Sequence, residues 1–238
     1  MKERLRQLWP VTVEEVVSLL ARISDKSSRL DALPTKLLKG MRVELAPFIA
    51  SLANVSFLLG KFPTELKHAQ VTPILKKPGL PVDDPASYRP ISNLNSISKI
   101  LERLVLKRLR EHLTESPNTD DRQSAYVPGR STETSLIWVM DDLHGINDQG
   151  SAAMLISLDL SAAFDCIDHT ILLRRLQLDF GVTDVALAWF GSFLSDRLQK
   201  VVVGKEMSSV MACRWGVRRV RCSDLCSLPC IRPPSPQS

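Results

Sequence analysis

The chain has 238 residues, of which 44% are hydrophobic, enough apolar material to build a buried core and to exclude a chain that is disordered throughout. A net charge of +5 and a pI near 9.0 suit a polyanionic partner, but the excess is too mild to identify one. No uncharged apolar stretch of bilayer-crossing length occurs, and the first residues lack the apolar segment of a secretory signal. An intracellular chain, in nucleus or cytoplasm, with no membrane partner is therefore the expectation.

In chain order, residues 13–23 carry apolar positions at helical spacing. Thr12 stands before them and Glu15 three residues later, as in a capping box. Residues 27–34 read as a turn, and 37–59 as two helices divided near Pro47. Residues 69–75 form a short β-branched run with the character of a strand, which Pro73 assigns to a sheet edge. A basic turn, Lys76-Lys77-Pro78-Gly79, follows. A polar loop over 83–87 leads to Tyr88-Arg89-Pro90-Ile91-Ser92, and 97–113 is a long amphipathic helix. Its cations Lys99, Arg103, Lys107, Arg108 and Arg110 are expected on a solvated face.

Residues 123–134 are rich in glycine and hydroxyls, and 135–146 return to a helical pattern. The most strand-like run is 154–160, followed by a polar turn and a helix. Residues 182–194 are expected to be helical and 199–203 to be a strand. Helices alternating with short strands give an α+β domain.

The run Leu158-Asp159-Leu160-Ser161-Ala162-Ala163-Phe164-Asp165 carries the chemistry. A carboxylate at the end of a buried strand is costly unless it is paired or binds a cation, which makes Asp159 a candidate metal ligand. The local pattern equally allows Asp159 to cap a helix and Phe164 to be a core residue.

This run resembles the first catalytic motif of the reverse transcriptases of non-LTR, LINE-type retrotransposons, and Asp168-His169 matches that family as well. Tyr88-Arg89-Pro90-Ile91-Ser92-Asn93-Leu94, followed by Ser98-Lys99-Ile100-Leu101-Glu102, resembles its fingers motif. Val71 to Gly79 resembles the fingers hairpin before it. Lys67-His68-Ala69, Gln123-Ser124-Ala125-Tyr126 with Gly129-Arg130-Ser131-Thr132-Glu133-Thr134, and Trp189-Phe190 with Ser192-Phe193-Leu194-Ser195-Asp196-Arg197 agree too. Val127 departs from the arginine usual in relatives.

The resemblance covers residues 28–217 and implies the fingers and partial palm of a right-hand polymerase. A helical extension would occupy 1–60, fingers 61–150 and partial palm 151–217. It implies an RNA-directed DNA polymerase that takes an RNA template, a DNA primer and deoxynucleoside triphosphates. Asp159, with the backbone carbonyl of Leu160, would hold Mg²⁺. Arg89, with Lys76 or Lys77, would grip the incoming triphosphate, a task that suits a guanidinium fork. Phe164 would lie under the sugar and exclude a 2′-hydroxyl.

After Gly216-Val217 the family pattern continues Pro-Gln-Gly-Ser-Val-Leu-Gly-Pro-Leu-Leu-Phe, whereas this chain turns to arginine, cysteine and proline. Removing one C from a CCG proline codon in that motif yields CGC AGG GTT CGG TGC TCG GAC CTC TGC TCT, which spells residues 218–227 without a mismatch. Residues 218–238 are thus expected to be an out-of-frame tail.

Cys213, Cys222, Cys226 and Cys230 lack the paired spacing of a zinc knuckle, and three of them fall in that tail. The Tyr-Ala-Asp-Asp turn with the remaining catalytic carboxylates does not occur in this sequence. The resemblance therefore implies an inactive fragment as written. The alternatives are a non-catalytic nucleic-acid-binding remnant using Arg89, Lys76, Lys77 and the 97–113 helix, or an unstable product without function. Shifting the genomic frame by one nucleotide after the Val217 codon should restore Pro-Gln-Gly-Ser and, farther on, an aromatic-Ala-Asp-Asp box. Downstream DNA with no such box in any frame would refute the frameshift.

Overall fold

The computed structural model describes residues 4–119, 122–125, 127, 129–158, 167–213 and 216. Helix α1 (Val13–Ala21) opens where the sequence expects, with the Thr12 side chain accepting from the Glu15 amide. Helices α2 (Thr35–Gly40) and α3 (Arg42–Leu59) follow. The break between them falls at Met41 rather than at Pro47, which lies inside α3. Pro47 removes only the hydrogen bond to the carbonyl of Val43, and Val43 is exposed enough for water to replace it.

Helix α3 ends at Gly60 with φ of +62°, where a Cβ would come within 2.9 Å of the Val185 carbonyl oxygen. Glycine is required there both by the left-handed backbone and by the close approach of another chain segment. Among the described helices α3 alone is long and apolar enough to cross a bilayer, with a mean hydropathy of 1.4. It reaches that value with Arg42 and Glu44 in its first turn. Its Ala46, Ile49, Ala50, Ala53 and Phe57 are buried in the core, while Phe48, Val55 and Leu59 are exposed.

Strand β1 (His68–Leu75) pairs antiparallel with β2 (Tyr88–Leu94). Helix α4 (Ser96–Thr114) is capped by the Asn95 side chain. Helix α5 (Thr132–Asp148) begins with a Ser131–Thr134 capping box, and α6 (His169–Leu178) and α7 (Asp184–Leu194) follow. Strands β3 (Arg197–Val203), β4 (Glu206–Met207) and β5 (Met211–Cys213) complete a mixed sheet of order β2-β1-β3-β4, with β5 also on β3.

Strand β1 is not at an edge, because β3 runs parallel along His68 to Val71. That pairing stops before Pro73. Pro73 lies opposite Pro90, whereas the Lys76 amide donates to the Ser87 carbonyl at 2.9 Å. Pairs alternate along an antiparallel ladder, so Pro73–Pro90 is a non-hydrogen-bonded pair and neither ring deletes a bond between β1 and β2.

Residues 154–158 form no strand, and Met154, Leu155, Ile156 and Leu158 are exposed. Apolar alternation needs a neighbouring strand to complete its ladder, and no described strand pairs with this run. Helix α5 likewise buries none of its described side chains.

The core joins α1, α3, α4, α6 and α7. Trp189 is fully buried with its ring stacked on Phe193 at 5.4 Å and edge-on to Phe57, Phe62 and Phe190. Its indole N–H donates to Ser56 Oγ at 2.9 Å. At the N-terminal end Leu5 bridges Val182, the Leu5 amide donates to the Gly181 carbonyl, and the Thr183 amide donates back to that of Leu5.

Arg108 departs most from expectation. It is fully buried rather than on a solvated face. Its Nε donates to the Trp9 carbonyl at 2.6 Å, and Nη1 donates to that of Leu104 at 2.7 Å. Nη2 donates to the Pro10 carbonyl at 2.8 Å and to Glu15 Oε2 at 3.0 Å. The rings of Trp9 and Phe57 lie 5.4 and 5.3 Å from its guanidinium carbon.

Burial pushes the Glu15 carboxyl up, but the hydrogen bond and charge of Arg108, with Lys107 beside them, outweigh it and hold the group below its ordinary range. Arg108→Ala should cost on the order of 3–5 kcal/mol in urea unfolding, since it strands a half-buried carboxylate and several carbonyls. A depressed carboxylate contributes stability above its unfolded pKa and loses it as pH falls through the folded one. The gap between wild type and Glu15→Gln should therefore be full at pH 7 and shrink below about pH 4. A gap independent of pH would show that Glu15 acts by shape rather than charge.

Candidate nucleotide and nucleic-acid site

The hairpin of β1 and β2 sets out the basic residues. Ile74 is the register partner of Arg89, and Thr72 that of Ile91, so these side chains share one face of the sheet with Asn93. The opposite face carries the buried Ala69, Val71 and Leu94. Arg89 is thereby directed away from the core, and it is exposed.

The tip of the hairpin is held by its own polar groups. Asp84 Oδ1 accepts from the Ala86 amide at 2.9 Å, opening a short 3₁₀ turn (Pro85–Ser87), and Tyr88 Oη donates to the Val82 carbonyl at 2.8 Å. The two lysines divide here. Lys76 Nζ donates to the Ala86 carbonyl at 2.7 Å and braces the turn, whereas Lys77 is exposed without a hydrogen-bond partner among the described residues. Lys77 is the one whose charge the hairpin leaves uncommitted.

Asp159, Leu160 and Phe164 lie outside the described residues, as does Asp165. Their C-terminal flank is well defined. Asp168 caps α6, with Oδ1 accepting from the Thr170 and Ile171 amides at 2.7 and 3.1 Å. Those bonds, that of Ile171 foremost, hold its carboxyl below the ordinary range. The Gly216 amide donates to the Ile167 carbonyl at 2.9 Å, and His169 Nε2 donates to the Gly216 carbonyl at 2.8 Å. The segment after Asp159 is thus stitched to the residue preceding Val217. No group of three or more His, Cys, Asp or Glu placed to hold a metal occurs among the described residues.

Upstream of α5, Arg130 Nη1 donates to the Gln123 carbonyl at 2.8 Å, and its guanidinium lies 5.2 Å from the centre of the Trp138 ring. Val127 sits in the turn between them, its amide bonded to the Ser124 carbonyl. The cations of α4 do not act as one face. Arg108 is internal and Lys107 bonds Glu15 at 3.3 Å, while Lys99 and Arg103 line a pocket beside β2. That pocket also takes in Lys26, a residue that sequence reading missed because nothing local marks it. Only the fold brings residue 26 to the sheet.

A family model described as reverse transcriptase (RNA-dependent DNA polymerase) matches residues 74–217. The chain is 30% identical over 209 residues to a probable RNA-directed DNA polymerase from transposon BS of Drosophila melanogaster, covering 87% of this chain and 23% of that protein. It is 29% identical over 211 residues to the RNA-directed DNA polymerase from mobile element jockey of the same species, covering 88% and 23%. A probable RNA-directed DNA polymerase from transposon X-element, also from Drosophila melanogaster, is 30% identical over 168 residues, covering 71% and 18%. The chain spans about a quarter or less of the length of these relatives.

Proposed function

We propose, from the premise that this chain belongs to the reverse transcriptase family, that it carries the fingers and the first catalytic motif of an RNA-directed DNA polymerase. The observation that carries this reading is the placement of Arg89 on the outward face of the β1–β2 hairpin, with the basic turn at its tip. A guanidinium so placed can meet triphosphate oxygens in a bidentate way without giving up a structural bond. Lys77 is the lysine we assign beside it, since Lys76 braces the turn. Template RNA, primer DNA and deoxynucleoside triphosphates are the proposed substrates.

Asp159 with the backbone carbonyl of Leu160 is the proposed holder of magnesium, which when bound supplies charge stabilisation to the reacting phosphates. Phe164, five residues on, is assigned to the underside of the sugar. The 238-residue polypeptide is proposed to be inactive, with its reading frame shifted after Val217, where the family match also stops. It should show no primer extension above an Asp159→Ala control on an RNA template with magnesium or manganese. Template-dependent incorporation would overturn that assignment.

The roles separate in a chain with the frame restored and the rest of the polymerase supplied. Asp159→Ala should abolish incorporation while leaving primer-template binding in place. Arg89→Ala should act on the nucleotide, raising its apparent KM because it removes a charge-assisted hydrogen bond worth about 1.5–3 kcal/mol. Phe164→Ala should admit ribonucleotides while extension with deoxynucleotides continues. Unchanged sugar discrimination together with an active Asp159→Ala enzyme would show that 158–165 is a helix cap and core segment instead.

A further inference from the structure

The side of α3 turned away from the core carries Phe48, Leu52, Val55 and Leu59, at successive spacings of four, three and four. That spacing is the a and d pattern of a coiled-coil seam, a single apolar stripe along one helix. All four residues are exposed, Phe48 at 74%, whereas Ala46, Ile49, Ala53 and Phe57 fill the core from the other side. The helix carries charge only in its first turn, at Arg42 and Glu44, and Lys61 follows its last. Glu44 and Lys61 are exposed, and neither side chain forms an ion pair or hydrogen bond among the described residues.

A pocket of about 260 Å³ opens at the C-terminal end of the stripe, walled by Leu52, Val55, Leu59 and Phe62, with Lys61 also lining it. An apolar cavity of about 150 Å³ already holds benzene, so this one has room for a phenyl ring. The stripe thus has a protruding ring and a carboxylate towards one end, and a recess and an ammonium at the other. Such a surface is complementary to itself when inverted. Antiparallel pairing about a two-fold axis between residues 52 and 55 sets Phe48 of each copy opposite Leu59 and the recess of the other, and Leu52 opposite Val55. It also brings Glu44 to the helix end where Lys61 of the other copy stands, and lays the positive end of each helix dipole beside the negative end of its mate.

We propose that α3 is the interface of a homodimer, two copies of this chain pairing their Phe48–Leu59 stripes antiparallel, with Phe48 of each seated in the pocket of the other. Parallel pairing is disfavoured, because it opposes Glu44 to Glu44. A lipid surface fits this helix less well, since Arg42 and Glu44 would have to enter the apolar layer with it. The dimer is independent of the polymerase reading above.

The test is sedimentation velocity of the full 238-residue chain over a concentration series, fitted for the dimer dissociation constant. The wild-type chain should dimerise. Phe48→Glu should weaken the dimer roughly tenfold or more, as for an aromatic anchor in a pocket, with an unchanged circular dichroism spectrum because the side chain is exposed. Glu44→Lys and Lys61→Glu should each weaken it by roughly threefold to tenfold, since symmetry uses the pair twice. The double variant Glu44→Lys/Lys61→Glu should return to the wild-type value, a rescue that neither misfolding nor unspecific aggregation can produce. A wild-type chain that stays monomeric, a dimer indifferent to Phe48→Glu, or a double variant no better than the singles would overturn the proposal. A monomer that floats with phosphatidylcholine vesicles, and ceases to do so as Phe48→Glu, would overturn it in favour of a lipid surface.

Discussion

The guanidinium of Arg108 has to leave water for the helix core to close, and it can do so only when several acceptors are already converging on it. Those acceptors come from three places: the carbonyls of Trp9 and Pro10 on the N-terminal segment, the Leu104 carbonyl one turn back along α4, and Glu15 on α1. Trp9 and Phe57 cover the group with aromatic faces. A buried charge of this kind gives little net stability against an apolar substitute of the same shape. It does penalise every arrangement in which one partner is missing. The position of α1 against α4 is fixed as a result, and the loop leaving α1 is brought towards the start of α4 and the hairpin.

Much of the helical framework was legible because its signals are local. Thr12, Asn95 and Ser131 each stand before an apolar periodicity and cap it as their side chains dictate. The exceptions share one cause, which is that a residue's local meaning was replaced by what a distant segment did around it. Arg108 reads as a surface cation until Trp9 and Glu15 arrive from the other end of the chain. Pro73 reads as an edge residue, yet it sits in a strand with neighbours on both sides, at a point beyond the pairing with β3 and where Pro90 faces it across a pair that uses no ladder bond. Pro47 reads as a helix break, although the helix had begun only at Arg42.

The same distinction holds in the site. Family-like motifs marked Arg89 and the two lysines, but the difference in role between Lys76 and Lys77 follows from the fold of the hairpin tip, where one ammonium is spent on a carbonyl and the other is not. Lys26 carries no motif and joins Lys99 on the wall of one pocket only through the docking of the 23–28 loop against α4. Residues 154–158 show the converse. Their alternation is clear in sequence, but a strand is a property of two chains of hydrogen bonds and not of one run of side chains.

The reach of the interactions that close the core has a consequence for how the polypeptide is made. Leu5 exchanges hydrogen bonds with Gly181 and Thr183, the Phe62 amide donates to Ser192 Oγ, and β1 lies along β3 at Val201. As the chain emerges from a ribosome, α1 can meet α3 and α4 early, but α3 waits for residues 184–194 before α7 can cover it. Throughout that interval α3, apolar around much of its circumference, faces solvent on the side that α7 later covers. Any slowing of translation before α7 lengthens the time for which this apolar side is open to aggregation.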